Sequence, residues 1–227
     1  MKDNKILSRY EANLGSFLTE KDQDILLTKT IGVIGCGGQG GYILDFFSRL
    51  GVKKIIFCDG DYYDETNLNR QNFSSAATIG VNKAEEILLN LQDINNTIEY
   101  NCISFFFNEE NSSFFEECDI IFVCAELNKD LENIVKSFKK PIVDAANWSY
   151  GAAISIFTPE YYNYYINSIH VNNAIRRISQ TAFSCALTAA IATNEVVKFL
   201  LNKPVECVGR ILIYDVSLGY TFIKDYN

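Results

Sequence analysis

From residue 29 onward, apolar runs of strand length alternate with stretches of helical period. The runs Thr30–Gly35, Lys54–Cys58, Ile98–Ser104, Ile120–Cys124 and Pro141–Asp144 are short and rich in apolar residues, as strands covered on both faces require. Between them, Gln39–Leu50, Asn82–Leu91, Ser112–Cys118 and Lys129–Phe138 repeat apolar residues at helical spacing, which predicts amphipathic helices. Strand–helix alternation of this kind predicts an α/β fold, a mostly parallel sheet with helices on both faces.

The rhythm changes after residue 150. Gly151–Phe157 reads as a further strand, and the tyrosine- and asparagine-rich stretch from Tyr161 to Gln180 has no period and reads as a long connection. A strongly apolar helix is predicted at Phe183–Leu201, then two strands joined by a turn, Arg210–Asp215 and Gly219–Lys224, which form a C-terminal antiparallel element. Ahead of the first strand, Glu20–Leu27 predicts a short helix, leaving Arg9 and Tyr10 on an arm able to reach a neighbour. No repeat or low-complexity block divides the chain, so a single domain is expected: an arm and helix over 1–28, a nucleotide-binding core over 29–157, a crossover loop over 158–180, and a C-terminal helix and strands over 181–227.

The first strand runs directly into Gly35-Cys36-Gly37-Gly38-Gln39-Gly40 and then a helix. Gly35, Gly37 and Gly40 satisfy the G-x-G-x-x-G spacing of a Rossmann-like turn, where backbone N–H groups and the helix start favour an anion. Asp59 ends the second strand nineteen residues past Gly40, where a carboxylate accepts hydrogen bonds from ribose hydroxyls. This pattern specifies a nucleotide and leaves ATP and a dinucleotide both open.

The following residues separate those two. Asp59-Gly60-Asp61 is followed by Asn67-Leu68-Asn69-Arg70-Gln71 and Ile79-Gly80-Val81-Asn82-Lys83. A dinucleotide site has no requirement for a guanidinium and an ammonium just past the ribose carboxylate. Displacement of pyrophosphate moves negative charge that fixed cations stabilise, which gives Arg70 and Lys83 a role. An NAD(P)-dependent oxidoreductase, the first rival, leaves Asn67 to Lys83 without one.

These segments resemble the ThiF/MoeB/HesA family, bacterial relatives of the ubiquitin-activating enzymes: G-x-G-G-x-G from Gly35 through Gly38 to Gly40, D-x-D at Asp59 and Asp61, N-L-x-R-Q at Asn67 to Gln71, and I-G-x-x-K at Ile79 to Lys83. The resemblance implies ATP and Mg2+ as cofactors. It implies adenylation of the C-terminal carboxylate of a small ubiquitin-like carrier protein ending in Gly-Gly, or of a short peptide, and a homodimer. Within that frame Asp59 holds the ribose, Asn67, Arg70 and Lys83 contact the phosphates, and Arg9 crosses to the partner's ATP. Asp61 and Gln71 complete the nucleotide-binding set.

The chain departs from the family pattern where an aspartate-bearing segment normally follows the fourth strand; here it reads Val123-Cys124-Ala125-Glu126-Leu127-Asn128, with Glu126 as the candidate magnesium ligand. That departure motivates a second rival, a non-catalytic binding module of the same fold. A third alternative keeps the chemistry and takes a tRNA-linked carboxylate. Cys185 is the candidate for a covalent thiol, a buried helix residue being the commoner reading of a free cysteine, while Cys36 reads as small packing in the turn. His170 reads as structural or surface, and Tyr161 to Tyr165 with Arg176 and Arg177 as a loop over the substrate tail.

Composition narrows partners further. A formal charge of −8, with no basic stripe, argues against nucleic acid. Seven cysteines without a C-x-x-C pair argue for reduced thiols and against structural zinc. The polar N-terminus lacks a secretory signal, and Glu195 and Lys198 interrupt the most apolar run, so a cytoplasmic protein away from membranes is expected.

Overall fold

The computed structural model describes residues 8–125, 137, 139–148, 150–162 and 179–225. An eight-stranded sheet is ordered β3-β2-β1-β4-β5-β6-β7-β8, with β1 Thr30–Ile34, β2 Lys54–Cys58, β3 Glu99–Ile103, β4 Ile120–Val123, β5 Ile142–Trp148, β6 Gly151–Phe157, β7 Arg210–Asp215 and β8 Tyr220–Asp225. The first five strands are parallel and the last three continue antiparallel from β5. The α-helices are α1 Glu20–Leu26, α2 Gly38–Leu50, α3 Lys83–Ile94, the single turn α4 Glu109–Ser112, and α5 Ala182–Leu200.

Period-two alternation divides the central strands between two cores. Ile31, Val33, Ile55, Phe57, Ile120 and Phe122 face one side, where α2, α3 and α5 supply Leu44, Phe47, Ile87, Leu91, Ala192 and Val196. Ile34, Ile56, Cys58, Ile121 and Val123 face the other, against Phe115 and Cys118 of the segment after α4. Double coverage explains why these strands read as continuous apolar runs.

Several boundaries differ from the sequence expectation for identifiable reasons. β5 continues through Asp144-Ala145-Ala146-Asn147-Trp148 because β6 pairs with them antiparallel, supplying partners past the end of β4. The helix expected at Ser112–Cys118 is instead α4, capped by the Asn108 side chain, followed by a 3-10 turn at Ser113–Phe115. Its buried residues Phe115 and Cys118 are three apart, a spacing that a tighter helix aligns. The helix expected at Lys129–Phe138 lies largely outside the described residues. So do His170, Arg176, Arg177 and most of the tyrosine-rich stretch. Tyr161 closes a 3-10 turn, and the buried Tyr162 donates its hydroxyl hydrogen to the Lys140 carbonyl, so Tyr162 is a packing residue and not a contact anchor.

By length and hydropathy α5 does reach membrane-spanning character, contrary to the expectation from its interrupted apolar run. Its buried residues are spent on protein: it packs against α2, β5 and β6, and its Glu195, 3% exposed, is held by Lys198 and the Glu206 N–H.

The N-terminal segment is also not a free arm. Tyr10 is buried, and its hydroxyl accepts from Asn95 Nδ2 (2.8 Å), which also donates to the Ser48 carbonyl (2.8 Å). Asn95 Oδ1 accepts from Arg9 and from Thr97 (2.7 Å). Asn95 ends α3 just before β3, so this clasp lies at the amino edge of the parallel strands. Removing a buried side chain with this many partners orphans several polar groups. Asn95→Ala is therefore expected to lower unfolding free energy in urea by about 2–4 kcal/mol, and Arg9→Ala, at the exposed rim, by under about 1 kcal/mol.

Candidate functional site

The carboxyl ends of β1 and β4 meet where the strand order reverses, the place where open α/β sheets hold ligands. β1 hands over to α2 through the glycine turn. Gly35 has φ +92°, and a Cβ there would lie 2.8 Å from the Ala125 nitrogen after β4. A Cβ on Gly40 would sit 2.0 Å from the Gly35 carbonyl oxygen, so this position admits only glycine. Gly37 is the N-cap of α2 and makes no side-chain cap, which leaves the first N–H groups of a thirteen-residue helix available to an anion.

Asp59 organises the turn from the end of β2. Its Oδ2 accepts from the Cys36 N–H (2.7 Å) and its Oδ1 from the Asp61 N–H (2.8 Å), with the residue 8% exposed. Each oxygen retains a lone pair for a further donor. Asn82 caps α3 by accepting from the Glu85 N–H (3.2 Å) and donates to the Asp59 carbonyl (3.4 Å), which brings Lys83 to this edge. Lys83, 7% exposed, donates its N–H to the Asp61 carbonyl (2.9 Å) and pairs through Nζ with Asp61 Oδ2 (3.2 Å). Gln71 is buried beside the turn; its Nε2 is 3.8 Å from where a Gly37 Cβ would lie, and its Oε1 has no partner.

Arg70 lies against the helix start, its Cγ 3.6 Å from the position of a Gly38 Cβ. Its Nη1 donates to the Thr66 carbonyl (2.8 Å) and Asn69 Oδ1 (2.8 Å). Both partners are neutral, so the guanidinium is oriented without being neutralised. Gly35, Gly37, Gly38, Gly40, Asp59, Asp61, Arg70, Gln71 and Lys83 thus adjoin one edge of the sheet.

Two expected site residues are engaged elsewhere in the chain, and a third lies outside the described residues. Asn67 is buried, and its side chain is spent on its own turn, donating to Asp64 Oδ1 (3.2 Å) and Thr66 Oγ1 (3.3 Å) while its carbonyl accepts the N–H groups of Arg70 and Gln71. It aims Arg70 and does not itself present a free amide. Arg9 sits in the clasp at the opposite edge, remote from the cradle of its own chain. Glu126 lies outside the described residues, and among the described residues no three of His, Cys, Asp and Glu gather as a metal site.

Sequence reading missed a polar group beside the cradle. Gln39 Nε2 donates to Asn147 Oδ1 (2.6 Å), and Asn147 Nδ2 donates to Ser184 Oγ (3.2 Å) and Cys185 Sγ (3.6 Å). Gln39 fills the variable position of the glycine motif, the one place there where a long polar side chain could have drawn notice. Cys185 is buried, 2.9 Å from the position of a Gly38 Cβ, so it packs on the turn. Burial pushes its thiol pKa up, with the Arg70 charge and the Asn147 and Ser184 hydrogen bonds acting in opposition.

A model of the ThiF family matches residues 10–222. The chain belongs to the ThiF family. Among relatives, it is 32% identical over 110 residues to the tRNA threonylcarbamoyladenosine dehydratase of Bacillus subtilis, covering 48% of this chain and 42% of that protein. It is 23% identical over 207 residues to the molybdopterin-synthase adenylyltransferase of Haemophilus influenzae, covering 85% of this chain and 83% of that one. The match to the Candida glabrata adenylyltransferase and sulfurtransferase UBA4 covers only 22% of that protein, so this ThiF-family chain spans well under half the length of several relatives. Its fold is shared with PaaA (TM-score 0.81, 18% identity, 99% of this chain and 84% of that one) and with E. coli MccB solved with ATP (0.78, 22%, 100% and 72%).

A buried thiol with a raised pKa holds little thiolate near neutral pH. Iodoacetamide is expected to label Cys185 at least about tenfold more slowly in the folded protein than in urea, read by peptide mass spectrometry; equal rates would restore it as a reactive nucleophile.

Proposed function

We propose that this chain binds ATP over the glycine turn and uses it to adenylate the C-terminal carboxylate of a small ubiquitin-like carrier protein, releasing pyrophosphate. The observation that best supports this reading is the pairing of a guanidinium without a counter-charge among the described residues, Arg70 against Gly38, with a buried ammonium, Lys83, held to Asp61 at the same edge. The cradle fits a nucleotide: helix N–H groups lack a cap, Gly40 leaves no room for a side chain, and Gln71 keeps an unpartnered amide oxygen beside the turn.

A carboxylate oxygen attacks the α-phosphorus, one P–O bond forms, and the bond to pyrophosphate breaks. Charge shifts toward the leaving group, and donors fixed beforehand stabilise it without reorganising. Lys83 exchanges its half-exposed partner Asp61 for phosphate oxygens, while Arg70 presents the face of its fork not used by Thr66 and Asn69. Asp59 holds the ribose, and Asn67 positions Arg70. The attacking carboxylate is ionised at neutral pH, so no general base is required. Magnesium accompanies the triphosphate in this reading, with Glu126 as its proposed protein ligand.

Relatives named as adenylyltransferases support nucleotidyl transfer. The dehydratase relative is named for a tRNA, and the formal charge of −8 works against that source here.

ATP–pyrophosphate exchange tests the proposal. Exchange should depend on an acyl substrate, supplied as a carrier or a short peptide ending in Gly-Gly, and Arg70→Ala and Lys83→Ala should each lower kcat/KM by about 100-fold or more. Exchange unchanged by Lys83→Ala, or NADH binding in place of ATP, would end this reading.

A further inference from the structure

Gln39, we propose, is a positioning residue for the acyl substrate: its amide oxygen accepts the N–H of the substrate's last residue and so aims the carboxylate at the α-phosphorus. The inference rests on the adenylation reading above.

Its basis is a one-way relay of hydrogen bonds that starts in the cap of α5. The Ser184 hydroxyl has one hydrogen, which it donates to the Thr181 carbonyl (3.0 Å), while its oxygen accepts from the Thr181 N–H (3.0 Å). With its hydrogen there, it accepts toward Asn147. This requirement turns Asn147 Nδ2 toward Ser184 (3.2 Å) and Asn147 Oδ1 toward α2, where it takes a hydrogen from Gln39 Nε2 (2.6 Å). Reversing either amide would set two donors or two acceptors face to face. With its nitrogen committed, Gln39 keeps its Oε1 fixed and without a partner among the described residues.

The sign of that atom is the informative part. Around it, the uncapped helix start and Arg70 all favour anions. A carbonyl oxygen in the first turn of the same helix opposes a phosphate and selects a hydrogen donor. An acid whose carboxylate must approach the α-phosphorus carries such a donor one Cα away, in the amide N–H of its terminal residue. β5 runs past β4 on this side, which carries Asn147 to Gln39 at the start of α2.

The test is pyrophosphate exchange with a carrier ending in Gly-Gly and with the same carrier made by ligation so that an ester oxygen replaces the final amide N–H; a matching pair of tail peptides is run in parallel. In the wild type the ester should raise the acyl-substrate KM about fivefold, the weight of one ordinary hydrogen bond. In Gln39→Leu amide and ester should share the same raised KM, with the KM for ATP unchanged. Asn147→Leu, which releases the Gln39 amide to rotate, should narrow the preference for amide over ester. An amide-to-ester ratio kept in Gln39→Leu, a ratio of one in the wild type, or an ATP KM that moves in parallel would each overturn the role. Should Gln39→Leu fail to fold, the wild-type and Asn147→Leu ratios still decide. ATP binding with no exchange on any acid would remove the adenylation reading itself, and this inference with it.

Discussion

The cradle depends on one buried carboxylate. Asp59 accepts hydrogens from Cys36 in the glycine turn and from Asp61 in its own loop, so two segments separated in sequence are fastened at a single side chain. Removing a carboxylate from water is costly unless its lone pairs are met, and here main-chain donors meet them without using a cation. Lys83 and Arg70 are thus spared for other work. Lys83 is held by Asp61, whose carboxylate is more than half exposed to solvent. Among the described residues, Arg70 is held by neutral oxygens.

Much of this was legible from the residues. Strands covered on both faces show as apolar runs, and the glycine motif locates the turn because its backbone geometry and close packing leave few alternatives. Asp59, Arg70 and Lys83, singled out by motif and charge, lie on segments that adjoin that turn in the fold. Illegible features were those settled by pairing across long separations. The far end of β5 becomes a strand because β6 returns alongside it. Arg9 and Tyr10 are clasped by Asn95, 85 or more positions away, where sequence suggested a free arm.

Asn67 illustrates a subtler limit. Motif reading treats every polar residue in a functional stretch as a contact, yet its amide is consumed by the turn that aims its neighbour. Gln39 is the opposite case: it occupies a variable position, and its partner lies 108 residues on, so nothing local signals it. Whether an amide touches ligand or shapes the backbone depends on which donors and acceptors remain after the fold is complete.

α5 carries a mechanical consequence. Its nineteen residues make a rod about 28 Å long. One end, through Cys185, leans on the glycine turn, and the other is bolted by Glu195 to the segment that leads into β7. Such a strut has little give along its length. A single helix thus joins the segment before the outer antiparallel strands to the glycine turn, end to end.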